Sequence, residues 1–374
     1  MRYRLKFFSL SHSQSEISMH LTLARLLAAL PALALASATT FAQTYPKTTL
    51  NVVGNLGITT QSKELEVPLW TKVLPAASGG AVSGTIKPWN EMGLKGAEVF
   101  KLLRQGVYDV GATQLGFVAG ENAINDATDL AGVSTTLDTF WEVTTRFRPT
   151  LEQYYDKQGL KVLAMTSFQA QVLYCRSEFK SLADLKGRKV RISGASQADF
   201  VEYFGGSGIN MAFGDVQQAL VNGVIDCAIT GTLGGYKAKW FEGAKFLYPL
   251  GINWASGMVA ANMNSWKKLD AATQKLITTE MAKYEKQVLE QNKRENEIGI
   301  ACNTGTAPCG EGPAAKMALV PIAAGDADLR RKALLESVLP KWGKRCGAEC
   351  VKSWSRYRPR RTPQHARRRR PVRP

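Results

Sequence analysis

Between residues 43 and 354 the chain has no histidine; its three imidazoles lie at positions 12, 20 and 365. Imidazole is the usual general acid or base near neutral pH, so Ser-His-Asp and Cys-His mechanisms are excluded as ordinarily built. Nucleotide loops are missing too: no Gly-x-Gly-x-x-Gly follows a strand-like run, and no Gly-Lys-Ser/Thr phosphate loop is present. The body lacks the tight Cys-x-x-Cys pairs that structural zinc prefers, so no metal and no cofactor is expected. It also lacks any apolar run long enough to span a membrane. What this leaves to catalysis is a carboxylate pair, kept as an alternative reading.

The basic excess is uneven. Of the net charge of +17, residues 1–42 supply three and the stretch after Trp354 supplies nine, leaving five for the body. The basic stretch holds nine arginines and no acid. Nucleic-acid binding is therefore not implied for the body, and only this tail supports the alternative of a nucleic-acid or anionic-surface binder. No apolar period survives in it, and its abrupt Arg-Pro composition suggests a frameshift near codon 355. At the other end, Met19–Arg25 forms a basic lead, Leu26–Ala38 an apolar stretch, and Thr40-Phe41-Ala42 a small-x-small cleavage site. That pattern predicts export by a cleaved signal peptide, with Met19 as the true start.

Export makes disulfides the expected state of the six cysteines at 175, 227, 302, 309, 346 and 350. Six cysteines allow fifteen connectivities. The expectation is local pairing: Cys302 with Cys309 around a turn-rich loop, and Cys346 with Cys350. Cys175 and Cys227 both end strand-like runs, and either pair or stay buried as thiols.

A thirteen-residue pattern occurs twice, at Glu98–Val110 and Asp215–Cys227. Its shared form is acid-Val-x-x-x-Leu-x-x-Gly-Val-x-Asp-apolar, which reads as a short helix, a glycine stop at Gly106 or Gly223, then a strand led by Asp109 or Asp226. The two aspartates are expected to be structural. Two copies predict two similarly built lobes, and clefts between lobes are where small ligands bind. The flanking sequence alternates strand and helix: strands at Leu50–Gly54, Gly84–Trp89, Val162–Met165, Val172–Cys175 and Lys189–Ser193, helical spacing over 61–77, and a long helix from Asp270 to about Ile298. The fold class is α/β.

Asp184-Leu-Lys-Gly187, Lys189-Val-Arg191-Ile, Met211-Ala-Phe213, the second repeat and Trp266-x-x-Leu269 stand in a characteristic order. Met92-Gly93, Asp129-Leu130-Ala-Gly132 and the long helix fit the same order. In these features, over about residues 48–354, the chain resembles the substrate-binding subunits of tripartite ATP-independent periplasmic (TRAP) transporters, the C4-dicarboxylate-binding family. The resemblance implies a two-lobed periplasmic-binding-protein-like fold with a long helix bridging the lobes. Lobe I would comprise 43–168 plus 256–297, and lobe II 169–255 plus 298–354. It also implies a monomeric, non-enzymatic periplasmic receptor that hands a small organic acid to TRAP membrane permease subunits.

The resemblance assigns roles to single residues. Arg191 matches a carboxylate clamp, a task suited to a planar guanidinium. Phe213 matches an aromatic packed on the ligand, Thr230 a second carboxylate donor, and Asn55 a polar contact from the first lobe. Gln114 and Gln171 stand where sialic-acid-binding members carry an acid and an arginine, which points to a smaller or less polar monoacid. Trp254 and Tyr236 are expected to add aromatic wall.

Overall fold

The computed structural model describes residues 44–355, which lie in one compact unit. The expected signal segment, the three histidines and the basic tail after Ser355 lie outside the described residues. Strand β1 (Thr48–Gly54) is followed by helical turns over Gln61–Glu66 and Leu69–Val73 and by α1 (Leu74–Ala77), covering the predicted 61–77. Strand β2 (Val82–Pro88) returns parallel to β1 with Leu50 opposite Gly84. Trp70 lies over this pair, and a Cβ on Gly84 would sit 2.9 Å from its ring. The first repeat then forms α2 (Glu98–Arg104) and β3 (Val110–Gln114), the latter parallel to β1. Next come α3 (Leu137–Lys157), capped by the Thr136 side chain, and β4 (Leu160–Cys175).

The second half repeats the scheme. It runs through β5 (Lys189–Ile192), α4 (Ala195–Tyr203), β6 (Ser207–Asn210), α5 (Val216–Asn222) and β7 (Cys227–Gly231). After α6 (Thr232–Lys237) comes β8 (Phe246–Asn262), then α7 (Met263–Lys268) and α8 (Ala271–Thr304). Strand β9 (Ala318–Leu319) and helices α9 (Asp326–Ala333), α10 (Leu339–Cys346) and α11 (Ala348–Ser355) complete it.

All strands belong to one sheet in the order β2-β1-β3-β8-β4-β7-β5-β6, with β9 beside β8. The repeats thus become two parallel triplets at opposite ends of the sheet, β2-β1-β3 and β6-β5-β7. Their aspartates act alike. Asp109 Oδ2 accepts from Asn51 N and Asp226 Oδ2 accepts from Lys189 N, each at 2.8 Å, pinning the neighbouring parallel strand. Between the triplets run β4 and β8, antiparallel strands of 16 and 17 residues that extend through both halves. The sequence suggested two strands at Val162–Met165 and Val172–Cys175. They are one strand, because shifts in pairing register between Ser167 and Ala170, and again between Gln171 and Leu173, let β4 bend without leaving the sheet.

The long helix exceeds its expected end at Ile298 and stops at Gly305, whose φ of +70° is the left-handed conformation of a helix terminus. Its start is as expected, with the Asp270 side chain accepting from Thr273 N at 2.8 Å. Tyr284 and Val288 bury against the first-half core with Trp70 and Val110. Its C-terminal part carries Cys302, packed with Leu233 and Tyr236 beside α6. The helix therefore braces both halves. Trp342 and Trp354 anchor the last helices, donating their indole N–H to Ala123 O and Ala127 O. Cys302–Cys309 and Cys346–Cys350 are bonded as expected, and Cys175 pairs with Cys227 where β4 and β7 lie side by side.

The repeat glycines give a direct check on this construction. Gly106 and Gly223 have φ of +75° and +73°, a region that costs other residues about 1–2 kcal/mol. Gly106→Ala and Gly223→Ala should each lower unfolding free energy by about that amount in urea titrations, with an unchanged denaturant slope. Wild-type midpoints for both variants would contradict the role given to these turns.

Candidate functional site

Parallel strands present their carboxyl ends on one side, and in open α/β sheets ligands bind outside those ends. Here the carboxyl ends of β1, β3, β5 and β7 meet the bent middle of β4. Asn55 and Leu56 follow β1, Gln114 closes β3, Arg191 lies near the end of β5, Thr230 near that of β7, and Phe168, Gln169 and Gln171 come from the β4 bend. These residues line one enclosed space together with Thr59, Trp89, Phe117, Phe213, Gly231 and Gly234. Its atom-free volume is about 460 Å³, of which about 30 Å³ is open to the centre of a water-sized sphere. The walls are therefore drawn close.

Arg191 dominates the chamber's chemistry. Period two places Val190 and Ile192 on the other face of β5, yet Arg191 is itself 1 % exposed. Its Nε donates to Met211 O at 3.1 Å and its Nη1 to Ile229 O at 2.9 Å. The guanidinium carbon lies 5.5 Å from the Trp240 ring centre and 6.0 Å from that of Phe213. These neighbours fix the group in place, while Nη2 has no partner and no carboxylate pairs with it among the described residues. Burial lowers its pKa to about 9, so it remains a cation at neutral pH. A buried cation without a counter-charge is costly and marks a place for an anion.

The remaining polar wall is amide-rich. Gln171 Nε2 donates to Gln169 O, and Gln169 Nε2 donates to Asn292 Oδ1 and Glu295 Oε2, both at 2.7 Å. Helix α8 thus orients the β4 bend. Gly231 gives this bend its room: a Cβ there would lie 2.6 Å from Gln169 Oε1. Across the chamber, the Asn55 backbone N–H donates to Glu66 Oε2 at 2.8 Å. Burial pushes Glu66 up to about 7, against the lowering effect of that hydrogen bond. Burial also raises the Glu295 pKa, against its hydrogen bonds from Thr60 and Gln169.

Of the eight residues assigned to the ligand from sequence, six meet here: Asn55, Gln114, Gln171, Arg191, Phe213 and Thr230. Trp254 and Tyr236 do not line the chamber. Trp254 is held in β8 beside Ala170, its backbone N–H bonded to Ser134 O, and Tyr236 donates its hydroxyl to Pro313 O at 2.8 Å. Both are buried, Trp254 in the main core and Tyr236 with Leu233 and Cys302. Sequence reasoning missed Trp89, Phe117, Phe168 and Gln169. For Phe168 and Gln169 a signal existed, since they fall between the two strand-like runs now joined in β4. Trp89 and Phe117 follow strand ends in the first half and carry no comparable mark.

Comparison with family models matches residues 57–302 to the bacterial extracellular solute-binding proteins, family 7, and the chain belongs to that family. The fold is that of solved two-lobed receptors. A Bordetella pertussis extracytoplasmic solute receptor binding pyroglutamic acid is 21% identical, with a TM-score of 0.74 over 83% of this chain and 100% of its own. A TRAP periplasmic solute binding protein from Desulfovibrio salexigens with bound orotic acid is 17% identical, with a TM-score of 0.75 over 83% of this chain and 97% of its own. One from Rhodoferax ferrireducens with bound malonate is 17% identical, with a TM-score of 0.71 over 82% and 96%. No curated protein matches the chain.

The buried carboxyls predict a pH dependence. Burial raises Glu66 from 4.5 and Asp129 from 3.8 to about 7 each. The folded state holds these protons more tightly than the unfolded chain, so their contribution is complete below about pH 4 and lost as pH rises through 7. Shifts of this size correspond to on the order of 3–4 kcal/mol per group. Glu66→Gln stays neutral throughout, so its melting temperature relative to wild type should rise between pH 5 and pH 8. Parallel melting profiles for the two proteins across that range would refute the assignment.

Proposed function

We propose that this solute-binding protein captures a small organic acid between its lobes and delivers it to a TRAP-type membrane permease. One observation carries the reading: Arg191 is a buried guanidinium with an unpaired Nη2 in an enclosed chamber. A carboxylate supplies the missing counter-charge and accepts a charge-assisted hydrogen bond. Phe213 packs against the same guanidinium, while Asn55, Gln114, Gln171 and Thr230 offer neutral polar contacts. The carboxylates bound by the structural neighbours, pyroglutamic acid, orotic acid and malonate, support the same chemistry.

Binding without catalysis accords with a family of receptors. The signal-like start supports export to the periplasm, and the protein would act there as a monomer with no nucleic-acid partner. Lobe I is assigned to 43–168 plus 256–297 and lobe II to 169–255 plus 298–354. The bend in β4 near Ser167–Gln171 is the natural hinge between them. The stretch Ala123–Ser134 reaches across to lobe II, through hydrogen bonds to Trp342, Trp354 and Trp254.

Two measurements test the proposal. Denaturing release of ligand from protein purified from the periplasm, followed by mass spectrometry, should yield a carboxylic acid of low mass. Arg191→Ala should weaken binding of that acid at least tenfold in calorimetry with the circular dichroism spectrum unchanged. Arg191→Lys should also lose affinity, because a point charge cannot reproduce the guanidinium fork. Wild-type affinity in Arg191→Ala would remove Arg191 from the site.

A further inference from the structure

We propose that the ligand bears one carboxylate and one neutral amide-type group, and that the Trp89 indole N–H reads the amide oxygen. This deepens the organic-acid reading and rests on it. The first observation is the charge inventory. Of the residues lining the chamber, Arg191 alone is charged. A second carboxylate would find no cation, and two carboxyl groups stand behind the wall, those of Glu66 and Glu295, each hydrogen-bonded to a lining residue. Burying an unpaired carboxylate is far costlier than burying a hydrogen-bonded neutral group.

The second observation concerns unused hydrogen-bonding groups. Two buried donors among the lining residues have no partner: Arg191 Nη2 and Trp89 Nε1. Trp89 is 4 % exposed and is held edge-on against Phe117, with ring centres 6.2 Å apart. It follows β2 in the first half, whereas Arg191 belongs to β5 in the second. The two orphan donors thus come from opposite halves of the sheet. A buried N–H without an acceptor is rare and costly, and a ligand oxygen relieves it. Gln171 uses its Nε2 on Gln169 O, which leaves its carbonyl end to accept. A carboxylate for Arg191, a carbonyl oxygen for Trp89 and an N–H for Gln171 together describe a monocarboxylate with a carboxamide or lactam group. A dicarboxylate lacks the donor and carries one charge too many.

The test is calorimetry on mature protein stripped of co-purified ligand, using matched probes. Succinamate differs from succinate only by an amide in place of one carboxylate, and pyroglutamate is a lactam acid to set against malonate. Succinamate or pyroglutamate should bind at least tenfold tighter than either dicarboxylate. Equal or tighter binding of succinate or malonate, or no binding of any of the four at millimolar concentration, overturns the inference. A co-purified ligand without a carboxylate would instead overturn the reading beneath it. Trp89→Phe keeps the ring and removes the N–H. It should retain the thermal midpoint of the free protein while the amide-over-carboxylate preference falls at least tenfold. An unchanged preference in Trp89→Phe would remove Trp89 from that role.

Discussion

The site depends on a cation that the protein alone leaves uncompensated. Arg191 is buried, gripped by two main-chain carbonyls and two aromatic rings, and left with one unpaired nitrogen. A protein selected only for stability would place a carboxylate or an apolar side chain there. On the proposed reading, an arriving anion removes that penalty as well as forming a contact. The same burial that lowers the guanidinium pKa keeps water from screening the interaction.

Holding such a group in place requires a rigid support on both sides of the chamber. The repeat provides it: two parallel triplets, each pinned by an aspartate that accepts from the neighbouring strand, aim their carboxyl ends at the same space. Strands β4 and β8 run between the triplets, β8 beside β3 and β4 beside β7, so the halves are joined by continuous sheet rather than by a loose linker. The pairing of these two strands is irregular at the β4 bend, the place proposed as the hinge. Helix α8 braces that bend through Asn292 and Glu295, which links the chamber's amide wall to the longest element of the protein.

Much of this was legible in residue order. The repeat announced two like units, and the glycine and aspartate within each copy adopt the roles their chemistry suggests. Helical spacing located α8, and Asp270 marked its start. Six of the eight residues assigned from sequence line one chamber; Asn55, Gln114, Arg191 and Thr230 do so from at or near strand ends, which can be read from sequence. Trp254 and Tyr236 lie outside the lining for a shared reason. An aromatic side chain buries equally well in a core or against a ligand, and local sequence does not distinguish the two. The single β4 strand was also hidden, because a register shift is a relation between strands and leaves no mark in one of them.

Residue order specified the absence of imidazole chemistry in the body, the α/β alternation, the twofold internal repeat and the arginine on β5. Those follow from residue type and spacing along the chain. The folded arrangement decided that Arg191 lacks a counter-charge and leaves Nη2 unpaired, that Trp89 holds a second orphan donor, and that Glu66 and Glu295 stand behind neutral amides. Charge balance within a chamber is set by which distant segments converge there. Residues from Asn55 to Gly234 contribute to its lining, and only the folded sheet brings them within reach of one another.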